Sequence, residues 1–236
     1  MKKLLISSAI LSFVATPAFA GVMDGWTGEA ALTGSKTSGN TETTDAGLGL
    51  HLVKSSDVWR HKFRANADYG KVSGEKNKQR WGLGYQIDRD INDRLYVYGN
   101  ADYFQDDFGA FKNGTFLGTG LGYKFVLPDP LQWDLESGLG WRQQKDQLSV
   151  KTDELAYRGA SRINYVLNDN VSAYNNTELT YSKSDTYIWN ETGITAQLMG
   201  NLAARASFRI DNHSTVPVGT KKTDTISRVG VVYTIK

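Results

Sequence analysis

The sequence predicts an all-β protein: a closed antiparallel transmembrane β-barrel of about twelve strands, placed after an N-terminal signal peptide. Three observations carry that expectation. Apolar and polar residues alternate with period two in about a dozen segments, several of them ten residues or longer. A globular strand is usually about five or six residues, whereas a tilted membrane-crossing strand needs about nine to eleven. The connections alternate between short and long, and aromatic residues gather at both ends of the apolar faces.

The first element is an address. Lys2 and Lys3 precede an apolar run from Leu4 to Ala15, and Ala18-Phe19-Ala20 supplies a small-x-small cleavage pattern. The run is too short to cross a bilayer as a helix. Cleavage is therefore expected after Ala20, dividing the chain into a signal peptide, 1–20, and a barrel, 21–236. Removing Lys2 and Lys3 from the 27 basic side chains leaves 25 against 25 acidic ones, a balance that argues against a nucleic-acid partner. The chain has no cysteine, so it holds neither a disulfide framework nor a thiolate site. Gly is 24 of 236 residues beside six Trp and twelve Tyr, a mixture that suits β structure.

Segments 26–35 and 42–53 read as a hairpin around Gly39-Asn40, two residues that tolerate positive φ. Over 58–69, Trp59, His61, Phe63, Ala65, Ala67 and Tyr69 share one face, and Arg60, Lys62, Arg64, Asn66 and Asp68 the other. Over 79–88, Trp81, Leu83, Tyr85 and Ile87 oppose Arg80, Gly82, Gly84 and Gln86. A fifth segment covers 94–104. In 115–127, Leu117, Leu121, Tyr123 and Phe125 alternate with Gly118, Gly120, Gly122 and Lys124. In 131–143, Trp133, Leu135, Leu139 and Trp141 alternate with Asp134, Glu136, Gly138, Gly140 and Arg142. Segments 153–167, 171–183, 187–198, 201–211 and 224–236 complete the set. Links at 54–57, 89–93, 128–130, 168–170 and 199–200 are short, while 70–78, 105–114, 144–152 and 212–223 are expected as long polar loops. Short periplasmic turns and longer extracellular loops are the organisation of an outer-membrane barrel. Trp26, Trp59, Phe125, Trp133, Tyr165 and Tyr233 then form a periplasmic girdle, and Tyr69, Trp81, Tyr103, Trp141, Tyr157 and Tyr181 an outer one.

The last segment, "TISRVGVVYTIK", resembles the C-terminal insertion signal of bacterial outer-membrane barrels, with Arg228, Gly230, Tyr233 and Ile235 at the matching places. The resemblance implies contact with the barrel-assembly machinery during insertion. Lys236 departs from it, because many such chains end on an aromatic. The run "GWTGEAALTGSKTSGNTETTDAGLGL", with its Ser/Thr-Gly-Asn-Thr turn between Thr37 and Thr41, resembles the first hairpin of the YdiY-like family of salt- or acid-induced outer-membrane proteins. That resemblance implies a Gram-negative outer-membrane location and a stress association, and brings no catalytic residues.

The inward face is expected to carry Arg60, Lys62, Arg64, Arg80, Lys124, Arg142, Arg158, Arg162, Arg205, Arg209 and Arg228. It also carries Glu29, Asp45, Asp68, Asp102, Glu136, Glu154, Glu178 and Glu191. A modest basic excess favours a narrow porin-like channel passing small anionic solutes, with Arg60, Lys62 and Arg64 as a ladder of rungs two residues apart. Two other classes stand beside it. One is a non-conducting structural barrel, whose Lys71, Lys76, Lys78, Lys145, Lys151, Lys221 and Lys222 meet outer-membrane lipid and lipopolysaccharide phosphates. The other is a lipid-modifying enzyme. His213-Ser214 is the only hydrolase-like pair, and it lacks a visible orienting partner. His51 and His61 face opposite ways, and Asp106-Asp107 lacks the spaced oxygen ligands of a cation loop. No enzyme activity, cofactor or metal is expected.

Overall fold

A computed structural model describes residues 24–38, 43–72 and 75–236. Its strands are β1 (Thr27–Ser38), β2 (Thr43–Ser56), β3 (Trp59–Val72), β4 (Glu75–Asp90), β5 (Leu95–Asp106), β6 (Phe111–Phe125), β7 (Leu131–Asp146), β8 (Lys151–Asn168), β9 (Val171–Ser182), β10 (Thr186–Met199), β11 (Leu202–His213) and β12 (Thr223–Ile235). Each pairs antiparallel with its neighbours in sequence, and β12 closes on β1. The closing seam runs through eleven residue pairs, from Gly28↔Ile235 to Ser38↔Thr225. Closure removes both sheet edges, which matters where no water can satisfy them. The signal peptide, Ala20 and the Gly39-Asn40 turn lie outside the described residues.

Period two places the apolar residues on the outside. Leu48, Leu83, Leu121, Leu139, Val229 and Val231 are all exposed, Leu139 at 67 %. In water such a surface would be a large unfavourable patch; in hydrocarbon it is the expected one. The girdle rings lie on this exterior: Phe125 stacks on Trp133 at 4.2 Å, and Trp81 meets Tyr103 at 5.1 Å.

The long polar loops are a correction. Strands run from 12 to 18 residues, well past the length needed to cross a bilayer. Most of 70–78, 105–114 and 144–152 is therefore strand, paired beyond the apolar belt. The β5–β6 and β7–β8 connections shrink to 107–110 and 147–150, and among the described residues only 214–222 remains long. Polarity in these stretches marks water outside the membrane, and the backbone there still gains by pairing.

Among the described residues four irregularities interrupt the ladders. The one in β6 carries the most consequence. Phe111 pairs with Asp146 and Asn113 with Lys145, so Lys112 is an extra residue. A bulge of this kind re-aims the side chain beyond it, and it brings Phe111 to the inner side of the barrel mouth.

Candidate functional site

The site is the lumen. Every basic residue expected to face inward does so, and the structure pairs nearly all of them. Near the end where short turns join β2 to β3 and β4 to β5, Arg60 Nη2 reaches Asp88 Oδ2 at 2.9 Å and its Nη1 reaches Asp90 Oδ2 at 3.2 Å. Lys62 Nζ lies 2.8 Å from the same Asp88 oxygen, and Lys124 Nζ 2.9 Å from Asp90. All three cations surround the face of the Tyr96 ring, 5.0 to 5.6 Å from its centroid. Tyr96 is fully buried and donates its hydroxyl to Glu136 at 2.9 Å.

At the waist, Glu136 gathers charges from several strands. Arg158, 1 % exposed, donates to Glu136 at 2.9 Å and to Glu178 at 2.5 Å. Gln86 of β4 donates to Glu136 at 2.8 Å, and Lys62 of β3 stands 3.9 Å away, four strands along the wall. Arg162 is the least engaged cation here, with Glu136 and Glu178 oxygens both at 4.0 Å. Arg64 pairs with Asp102 at 3.0 Å, and Arg205 holds Glu29 through a two-toothed contact. His51 faces this same space, where the charges of Glu29, Arg64, Arg162 and Lys62 reach it. Higher up, Arg80 and Arg228 share Asp68 at 2.7 and 3.3 Å, Arg228 also approaches Glu191 at 3.5 Å, and Arg209 binds Asp211 at 2.7 Å while lying over Trp189.

The expected basic excess does not survive this census. Asp88, Asp90, Asp134 and Asp211 also point inward, and the rungs Arg60, Lys62 and Arg64 each have a carboxylate. Such pairing follows from desolvation: an unpaired charge in a partly dry lumen costs several kcal/mol. The inward glycines of β6 and β7 are covered by aromatic rings. Tyr96 lies against Gly122, the Tyr98 hydroxyl against Gly120 and Gly138, and Phe116 against Gly118 and Gly140. The signal for them was present in the alternation of β5, where Tyr96 and Tyr98 share a face with Asn100 and Asp102.

At the outer mouth the structure supplies what His213-Ser214 lacked in sequence. Asp185, from the β9–β10 turn, has Oδ2 2.7 Å from His213 Nδ1. Arg142 donates to Asp185 Oδ2 at 3.0 Å, to its carbonyl at 3.0 Å and to Ser182 Oγ at 3.1 Å. Ser214 Oγ, however, donates to Asp185 at 3.2 Å and accepts from the Thr186 N–H at 2.7 Å. Its hydroxyl is thus engaged away from the imidazole, which is not the geometry of a Ser-His-Asp nucleophile. Asp106 caps its own turn, accepting from the N–H groups of Phe108 and Gly109. His61 lies outside, 2.6 Å from the Tyr85 hydroxyl. Of the insertion-signal residues, Arg228 and Gly230 face the lumen, Tyr233 and Ile235 the exterior, all within the β11–β12–β1 ladder.

Solved structures of similar shape are outer-membrane barrels. The NanC porin matches with a TM-score of 0.59 and 12 % identity, over 86 % of this chain and 98 % of that one. An outer-membrane channel described as COG4313, from Pseudomonas putida F1, matches with a TM-score of 0.57 and 8 % identity, over 89 % and 95 %. The translocator domain of the autotransporter NalP from Neisseria meningitidis matches with a TM-score of 0.51 and 16 % identity, over 90 % and 91 %. At these identities the likeness shows a shared fold. No curated protein matches the chain by sequence. A family model described as "Protein of unknown function, DUF481" matches residues 30–235, the strands from β1 through β12 that build this lumen, and the chain accordingly belongs to the DUF481 family.

Proposed function

We propose that the protein is an outer-membrane barrel that acts as a narrow porin-like channel for small polar solutes. One observation carries this: beside its dry ion pairs the lumen keeps others in reach of water. On the β3–β8 side Asp88, Tyr96, Glu136 and Arg158 are packed out of reach of solvent. Between and across from them other ion pairs stay accessible: Arg64 of β3 and Asp102 of β5 are 33 % and 30 % exposed, and Arg162 of β8, Arg205 of β11 and Glu29 of β1 are part-exposed. A hydrated track of paired charges lets solutes bind weakly and leave, as conduction requires. The neighbours named as porins and channels support the same reading.

A weak anion preference is part of the proposal, and it rests on Arg162, the loosely engaged cation, 4.0 Å from both Glu136 and Glu178. Outside the lumen, Lys71 and Lys76 stand about one ring-width from Tyr69, at 6.0 and 5.9 Å, above the outer girdle, where contact with lipid or lipopolysaccharide phosphates is proposed. The narrower YdiY-like identity and its link to salt or acid stress belong to the proposal too, and growth of a deletion strain under those stresses tests them. No enzyme activity is proposed.

The decisive experiment is single-channel recording of refolded mature protein with measured ion selectivity, after fractionation has located the native protein. Recovery as a soluble periplasmic protein without heat-modifiable mobility overturns the location. Absence of conductance at any voltage, in both the native protein and a His213→Ala variant, overturns the channel and leaves the structural barrel, which the dense ion pairing favours.

A further inference from the structure

We propose that the outer mouth is shut by a latch, in which His213 is clamped between Phe111 and Tyr187 and tied to Asp185, and that freeing His213 opens the lumen. The proposal rests on the channel reading.

The geometry is a contact that a plain cylinder would forbid. Phe111 begins β6 and His213 ends β11, with four strands between them one way round and six the other. They therefore sit almost opposite one another. With strands about 4.8 Å apart and tilted roughly 40°, a twelve-stranded barrel is about 24 Å across between backbones. The two rings are nevertheless only 5.0 Å apart, centroid to centroid. Two side chains of about 5–6 Å reach close that gap only where the mouth is much narrower than a circular twelve-stranded cylinder.

Each side of the latch has its own support. On the β6 side, the bulge at Lys112 aims Phe111 inward, and Gln147 donates to the carbonyls of Asp106 and Gly109 at 3.0 and 2.9 Å, pinning the β5–β6 turn. On the β11 side, His213 stacks on Tyr187 at 4.4 Å with 19° between planes. Asp185 then receives donors from Arg142, His213, Ser214 and the Thr215 N–H. The Ser214 N–H donates to Thr186 O at 2.9 Å, and the His213 N–H to Lys222 O at 2.8 Å. The 214–222 loop is thereby drawn onto β10 rather than standing clear of the mouth. Four donors converging on one nearly buried carboxylate make a well-defined closed state, while the contact on the far side is a single tilted ring pair. Such an arrangement can part at one place without dismantling the barrel.

The test uses two variants from opposite sides of the mouth, His213→Ala and Phe111→Ala, in the full mature chain refolded into bilayers, with heat-modifiable migration as the check on assembly. Both are expected to raise the open fraction or conductance several-fold over native protein. A second readout does not depend on conduction: spin labels at Lys112→Cys and Val218→Cys, in a chain with no cysteine of its own. The label distance is expected to be single and short in native background, and longer and broader with His213→Ala. Labels that separate while no variant conducts uphold the latch and overturn the channel. Unchanged distances, or variants whose conductance equals that of a conducting native protein, overturn the latch and leave the channel standing.

Discussion

At the scale of single residues, the lumen is held by charges whose partners come from other strands. Arg158 is the clearest case, because it satisfies two carboxylates while almost wholly buried. Arg158→Met should cost about 3 kcal/mol, the lower part of the range for breaking a buried pair. Arg162 already stands 4.0 Å from both orphaned carboxylates and can move in. Adding Glu136→Gln and Glu178→Gln should restore most of the loss in urea unfolding from lipid vesicles; a triple variant no more stable than the single one would contradict the pairing account. Asp185 gives a pH prediction. Burial works against its ionisation, but the His213 hydrogen bond and charge, the Thr215 N–H and Arg142 outweigh it and hold its carboxyl down to about 2. A depressed carboxyl stabilises fully above its unfolded value, near 3.9, and loses that contribution as pH falls through the folded value. Glu154, bonded to Ser184 in the same turn, and Arg142 and His213 are the other charges facing it. Closure measured by the label pair should therefore persist at pH 4, and opening at that pH would show that Asp185 is not the anchor.

At the scale of elements, register decides which chemistry each strand shows to which side. Arginine at Leu83, Leu121 or Leu139 should cost about 2–4 kcal/mol near the bilayer midplane, read from unfolding in vesicles. Spin labels at 83 and 121 should meet a lipid-soluble quencher, while labels at Gly84 and Gly122 should not; equal water access at all four would refute the register. Gly122 has a second role. Any side chain there would intrude on the Tyr96 ring, so Gly122→Val should expel Tyr96 and free Glu136 from its hydroxyl. The twelve strands and their faces were legible in the sequence because alternation is a local property. Their ends were less so, since the sequence marks where apolar contact stops and pairing continues beyond it. Phe111 was not legible at all, because its direction depends on one bulged residue.

At the scale of the whole molecule, selectivity is the sum of many nearly cancelling pairs. Replacing Arg60, Lys62 and Arg64 together by Gln would strand Asp88, which is fully buried and would lose both of its cations. The informative variant is Arg60→Gln, Lys62→Gln and Arg64→Gln combined with Asp88→Asn. It should assemble better than the triple change and should move the reversal potential toward cation preference. The shift should shrink as ionic strength rises, because the Debye length falls from about 10 Å at 0.1 M to about 3 Å at 1 M. A reversal potential untouched by the change would make these residues scaffold alone.

By itself the sequence determined that this chain is a closed barrel with an apolar exterior, because the period of the pleat ties each residue's side to its parity and lipid leaves no other way to satisfy backbone. It also showed that the interior would be charged. Only the tertiary structure decided what those charges do. Whether Arg60 is a free rung or the partner of Asp88, whether Gly122 is bare or covered by Tyr96, and whether His213 meets solvent or Phe111, all depend on the stagger between strands and on how closely the walls approach across the lumen. Those are distances between residues remote in the chain, and no local pattern encodes them.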